Sequence, residues 1–180
     1  MILTYKECIE KYGNHYLLAK ALNSGEIFRI EKGIYSTEKY VKDLAIFVKK
    51  YCLTIFTMKS AFYYLGISDE IPNKYFISTN RDQTKYKDDS IEQYFFDKSI
   101  LELGVTTIIF NGVTIRVYNK ERMLIELFRY KNKLPFDYYK EVVRYYRDNL
   151  NEINFSLIDF YLENFPKKNL ILKSIQTEIL

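Results

Sequence analysis

Asn23-Ser24-Gly25-Glu26-Ile27-Phe28-Arg29-Ile30-Glu31-Lys32-Gly33-Ile34-Tyr35-Ser36 is the stretch whose reading decides the fold. Gly25 suits the left-handed backbone that closes a helix. Ile27, Phe28 and Ile30 form a short apolar strand, and Ile34 with Tyr35 forms its partner. Between them Glu31-Lys32-Gly33 is a hairpin tip, with Gly33 supplying the permissive backbone. A helix followed at once by such a hairpin outlines a winged helix-turn-helix, in which a helix enters a DNA groove and the wing touches phosphate. An ordinary surface hairpin is the alternative reading.

Working outward, Thr4 can cap a helix from Tyr5 to about Tyr12, with Cys8, Ile9 and Tyr12 on one face. Gly13-Asn14 is a turn. A second helix from His15 to about Asn23 sends Leu18, Ala21 and Leu22 inward and leaves Tyr16, Lys20 and Asn23 freer. After the hairpin, Ser36 or Thr37 is expected to start a third helix with the stripe Tyr40, Leu44, Phe47, Val48 and Tyr51. Short strands are predicted at Leu53 to Phe56, Lys74 to Thr79 and Glu92 to Phe96, with a helix capped by Thr57 and ending at Leu65-Gly66. The polar stretch Asn80 to Ser90 reads as a mobile loop. Asn111-Gly112, between Val105–Phe110 and Val113–Tyr118, is the strongest hairpin signal in the chain. From Asn119 onward the apolar period is helical, with Ser156 and Asp159 forming a capping pair. The expected architecture is α+β: a small winged helix-turn-helix over residues 1–38, shortened at its start, then a mixed sheet-plus-helices domain over 39–180 with an all-helical C-terminal part.

Composition bounds the function. Of 180 residues, 48% are hydrophobic and 28% charged, which excludes wholesale disorder. Met1–Glu7 lacks the basic segment and apolar run of a secretory signal, and no apolar run is long enough to span a bilayer, so no membrane partner and a cytoplasmic location are expected. Cys8 and Cys52 fall in helical patterns without metal-ligand spacing and read as small core residues in a reducing compartment. His15 is the only histidine. No Gly-rich phosphate loop is present, and no acidic pair precedes a lysine in the manner of metal-dependent nucleases. No catalytic residue, metal or cofactor is therefore expected, and a nuclease-like enzyme is the weakest reading.

The net charge of +4 is unevenly spread. Residues 1–40 carry six Lys/Arg against five Asp/Glu, whereas residues 116–147 carry nine against four. Candidate DNA contacts are Asn14, His15, Tyr16 and Lys20 from the turn and second helix, and Arg29, Lys32 and Tyr35 from the wing. For His15 the bland alternative is capping of the turn or packing on Tyr12. For Arg29 and Lys32 it is a solvated pair answering Glu26 and Glu31. Lys140, Arg144 and Arg147 share one helix face at i, i+4 and i+7, and Arg122 and Arg129 do so one helix earlier. Those rows read either as solvated faces or as a surface for an acidic protein or a nucleic acid.

Three separated blocks resemble one family. Gly25-Glu-Ile-Phe-Arg-Ile-Glu-Lys-Gly-Ile-Tyr35 resembles the wing signature of AbiEi-type antitoxins, regulators of type IV toxin–antitoxin and abortive-infection phage-defence systems. Thr57-Met-Lys-Ser-Ala-Phe-Tyr-Tyr-Leu-Gly-Ile-Ser-Asp-Glu-Ile-Pro72 is similar to the next block, and Tyr75-Phe-Ile-Ser-Thr79 to the strand after it. Asn111 to Leu127, a hairpin leading into a helix that opens Glu121-Arg122-Met123-Leu124, is similar to the third. The resemblance implies a winged helix that binds the promoter DNA of its own operon and represses it. It also implies a non-enzymatic C-terminal domain that counteracts a nucleotidyltransferase-like toxin, a functional rather than necessarily physical partner. Under the resemblance, the basic faces from Arg122 to Arg147 lie in that neutralising domain. An extra helix common before the helix-turn-helix pair in the family has no counterpart here, so an interaction-only antitoxin with a vestigial winged helix is the runner-up.

Overall fold

A computed structural model describes residues 1–180, which divide into two compact units, Met1–Leu53 and Thr54–Leu180. The class is α+β, as the periodicities predict.

The first unit runs β1 (Ile2–Thr4), α1 (Tyr5–Tyr12), α2 (His15–Asn23), β2 (Phe28–Glu31), β3 (Ile34–Ser36) and α3 (Asp43–Lys50). Thr4 ends β1 and begins α1: its hydroxyl accepts from the Glu7 amide at 3.3 Å, and its own amide donates to Glu7 Oε2 at 2.7 Å. This reciprocal pair satisfies amides that the first helical turn leaves without partners. The strands form an antiparallel sheet in the order β1-β3-β2. Leu3 lies opposite Tyr35, and both close on Cys8, Leu18, Ala21 and Ile27 in one apolar core. Strand β1 is absent from the sequence reading, because three residues are too few to show alternation and their pairing partners lie thirty or more residues away.

Two boundaries differ from expectation. The third helix starts at Asp43, not at Ser36 or Thr37: Ser36 is the last residue of β3, and Tyr40 is exposed outside the helix. The first unit also extends to Leu53, because α3 packs on β1 and β3 and is tied to the same unit by ion pairs. Lys49 Nζ meets Glu7 Oε1 at 2.7 Å, and Lys50 Nζ meets Glu31 Oε1 at 3.3 Å. Of the two cysteines, Cys8 is buried as expected, whereas Cys52 is exposed.

The Lys49 hydrogen bond, with those from Thr4, lowers the Glu7 pKa to about 2. A depressed carboxyl contributes stability that is present above its unfolded value near 4.5 and is lost as pH falls through about 2. Acid titration of the intact chain, followed by tyrosine fluorescence and far-UV circular dichroism, is expected to show the first unit weakening between those pH values. Glu7→Gln should remove that segment of the pH dependence. An unchanged acid profile in the variant would mean that Glu7 does not couple folding to protons.

The second unit is a five-stranded mixed sheet in the order β6-β5-β4-β8-β7, from β4 (Ile55–Phe56), β5 (Tyr75–Asn80), β6 (Ile91–Phe96), β7 (Val105–Phe110) and β8 (Val113–Tyr118). Helix α4 (Met58–Tyr64) follows β4, and the short α5 (Lys98–Leu101) follows β6. The Asn111-Gly112 turn has φ of +49° and +79°, the pair of positive angles that a type I′ hairpin requires. Strands β5 and β6 are parallel neighbours joined by 81–90, whose path is held by bonds such as Tyr86 N to Gln93 Oε1 at 2.8 Å. Four helices complete the unit: α6 (Lys120–Arg129), α7 (Phe136–Asp148), α8 (Phe155–Leu162) and α9 (Lys168–Glu178). Asn154, not Ser156, caps α8 by accepting from the Leu157 amide. Helix α6 is the hub, packing on α4, α8 and α9 with every residue from Arg122 to Leu127 buried. No helix is long and apolar enough to cross a membrane.

Candidate nucleic-acid interface

The turn between α1 and α2 is two residues long and determined locally. Gly13, at φ +92°, donates its amide to Ile9 O and ends α1. Asn14 Oδ1 then accepts from the Leu17 amide at 2.9 Å and starts α2. Leu18 and Ala21 anchor α2 to the core. At 3.6 residues per turn, that anchoring turns His15, Tyr16, Leu17 and Lys20 outward. Tyr16 is 76% exposed and Leu17 42%, although both carry large apolar surface. The His15 ring is exposed and stands 6.5 Å from that of Tyr5, not against Tyr12. Leu17 was not among the residues singled out by sequence; its position beside Tyr16 and one residue before the inward Leu18 was the available signal.

The hairpin is a wing in shape. Glu31 pairs with Ile34 across the two-residue turn Lys32-Gly33, where Gly33 takes φ +83°. Gly33 O accepts from the Tyr5 amide at 3.0 Å, which ties the tip to the first turn of α1. Arg29 and Tyr35 are cross-strand partners, so their side chains share one sheet face. They meet different surroundings. Tyr35 lies on the central strand and is only 7% exposed, within the core and 6.4 Å ring to ring from Tyr5. It is a packing residue and not a wing contact. Arg29 lies on the edge strand and is exposed.

Charge engagement separates this surface from the rest of the unit. Met1 pairs with Glu38, Lys6 with Glu10, Lys49 with Glu7 and Lys50 with Glu31. Lys11, Lys20, Arg29, Lys32 and Lys39 are exposed and take part in none of these pairs; Lys11 and Lys39 lie over the Tyr12 and Tyr40 rings, whereas Lys20, Arg29 and Lys32 do not cover a ring. With α3 included, residues 1–53 carry nine Lys/Arg against six Asp/Glu, more basic than residues 1–40 alone.

In the second unit the structure overturns two of the five residues of the expected basic surface. Arg122 is 0% exposed: its Nη1 donates to Ile100 O at 2.7 Å and Leu103 O at 2.9 Å, and its Nε donates to Glu126 Oε1 at 2.8 Å. Arg129, largely buried, donates to both oxygens of the same Glu126 at 2.8 Å. The two arginines are therefore a buried Arg-Glu-Arg cluster rather than an interface. Glu126, four residues after Arg122 in an otherwise apolar run, was the signal available for it.

Lys140, Arg144 and Arg147 do share an exposed face, along a groove of about 550 Å³ lined also by Lys131, Phe136 and Tyr139. Its cations are nonetheless engaged. Lys140 meets Asp137 at 3.4 Å, Arg144 meets Asp148 at 3.6 Å, and Arg147 Nε donates to Glu178 O at 2.7 Å. Burial opposes ionisation of Glu178, but hydrogen bonds from Lys131 and Tyr139 outweigh it and hold the carboxyl below its usual range. Each cation of the row thus has a polar partner within its own unit, whereas Lys20, Arg29 and Lys32 have no ion-pair partner. No group of three or more His, Cys, Asp and Glu side chains is placed to hold a metal ion. No family model and no curated protein matches this sequence.

Proposed function

We propose that this chain is an antitoxin-type regulator that binds the promoter DNA of its own operon through the first unit. The observation that carries the DNA reading is the outward-facing turn of α2 combined with three exposed cations, Lys20, Arg29 and Lys32, that no carboxylate answers. An exposed second helix followed by a hairpin supplies a groove-reading element and a phosphate-touching one. The antitoxin part of the reading rests on the resemblance of the wing, the Thr57–Pro72 block and the Asn111–Leu127 block to AbiEi-type antitoxins. Under it, a nucleotidyltransferase-like toxin encoded alongside is the activity the second unit counteracts, in the manner of an abortive-infection system.

The test of the DNA reading is an electrophoretic shift or anisotropy titration of the intact chain on its own upstream DNA across a salt series. Each phosphate contact contributes about 0.9 to the slope of log K against log salt. Arg29→Ala with Lys32→Ala is expected to weaken binding to every sequence tested and to lower that slope by about 2. An unchanged slope removes the wing from the interface. For the antitoxin reading, co-expression with the neighbouring gene is decisive: growth arrest by that gene alone, relieved by this chain, supports it, and arrest that persists overturns it.

A further inference from the structure

The outward first turn of α2 is unusual in what it lacks. An adenine or guanine is read in the major groove by Asn, Gln, Arg or Lys hydrogen-bonding the base edge. The first turn of α2 offers none of these: Asn14 spends its side chain on the Leu17 amide, and the residues that follow are His15, Tyr16 and Leu17. Their exposed surface is largely carbon. Tyr16 projects almost fully, and Leu17 is held over the turn, its Cδ1 3.9 Å from where a Cβ on Gly13 would stand. Tyr5 adds a further 44%-exposed ring beside His15. Lys20 is one turn further along α2, and Arg29 and Lys32 are on the hairpin whose tip is tied to Tyr5.

An apolar patch in a unit that also carries cations without ion-pair partners matches one feature of duplex DNA. Thymine alone carries a methyl group into the major groove, set between two lines of phosphates. We infer that Tyr16 and Leu17 read thymine C5-methyl groups, so that this chain selects T-rich half-sites by apolar contact and not by paired hydrogen bonds. Phosphate contacts from Lys20, Arg29 and Lys32 then supply affinity without sequence preference. This rests on the DNA-binding reading and adds to it which base feature is recognised.

The experiment changes only the methyl group. The chain's upstream DNA is prepared once with thymine and once with uracil in every thymine position, and the intact protein is titrated against both. Binding to the uracil form is expected to be weaker by about tenfold, as losing two buried methyl contacts implies. Tyr16→Ala with Leu17→Ala should bring the two forms to equal affinity and leave the salt slope unchanged. Equal affinity of the unaltered protein for both forms, with salt-sensitive binding to each, overturns the methyl reading and leaves DNA binding standing. Absence of binding to either form overturns the DNA reading itself, and this inference with it. The first comparison needs no variant, so its outcome does not depend on how the substitutions fold.

Discussion

Replacing Glu126 by Ala is expected to destabilise the second unit by about 3–5 kcal/mol, the loss that follows when a buried ion pair keeps one charge and loses the other. Glu126 and Arg122 are both 0% exposed. Arg129 retains some exposure and can turn toward water, but Arg122 has no such route. Its guanidinium lies 4.4 Å from the Tyr118 ring centre, 4.5 Å from that of Phe165 and 5.3 Å from that of Phe96, and Nη1 is fixed to two carbonyl oxygens. Nη2 is buried without a partner, so Glu126 provides the only opposing charge in direct contact. Against a typical domain stability of about 5–15 kcal/mol, the loss is large.

Urea unfolding of the intact chain, followed by far-UV circular dichroism and tyrosine fluorescence, measures it. Glu126→Gln keeps an acceptor at the same place and separates charge from hydrogen bonding. If Gln restores most of the stability, the bond matters and the charge does not. Arg122→Met with Glu126→Leu removes both charges at similar volume and is expected to lie much closer to the unaltered protein than Glu126→Ala. A double variant as unstable as the single one would show that the cluster contributes through packing against Phe96, Tyr118 and Phe165. A loss below about 1 kcal/mol for Glu126→Ala would rule out an uncompensated buried charge.

The same cluster shows where reading a sequence succeeds and where it stops. Gly13-Asn14 and Asn111-Gly112 were legible because the turn chemistry is local: a left-handed glycine, a capping amide and a type I′ pair depend on nothing further along the chain. Tyr16 and Lys20 were legible for a similar reason, since helical period alone turns them away from Leu18 and Ala21. Arg29 and Tyr35 mark the limit. They share a sheet face, and only the strand order β1-β3-β2 makes one a surface cation and the other a core ring. Arg122 lies further beyond it. Its charge suggests a surface, and its burial comes from Ile100, Leu103 and Phe165, three residues on other segments. Lys140, Arg144 and Arg147 were correctly placed on one exposed face, yet their partners include the Glu178 carbonyl on α9 as well as carboxylates on their own helix.

Gly104→Ala is expected to destabilise the second unit by about 3 kcal/mol or more, although it adds a single methyl group. Gly104 takes φ +79°, where a Cβ costs roughly 1–2 kcal/mol in any surroundings. Its surroundings are crowded: the added Cβ would stand 2.6 Å from Arg122 Cβ and 3.1 Å from Asn119 Oδ1. Neither neighbour can give way cheaply. Arg122 Cβ is next to the α6 backbone, and its guanidinium is fixed in the buried cluster. Asn119 Oδ1 caps α6 by accepting from the Arg122 amide at 2.9 Å, a contact whose loss costs about 1 kcal/mol. Asn119 N also donates to Gly104 O at 2.8 Å, so moving the loop away breaks a further bond. Gly66→Ala isolates the crowding, because Gly66 has φ +68° with nothing within 4 Å of its would-be Cβ. That variant should lose only the conformational cost, so the excess loss in Gly104→Ala measures the displacement of Arg122 and the α6 cap. Equal losses in the two variants would mean that α6 shifts without penalty, which would contradict a hub helix held by a buried charge cluster.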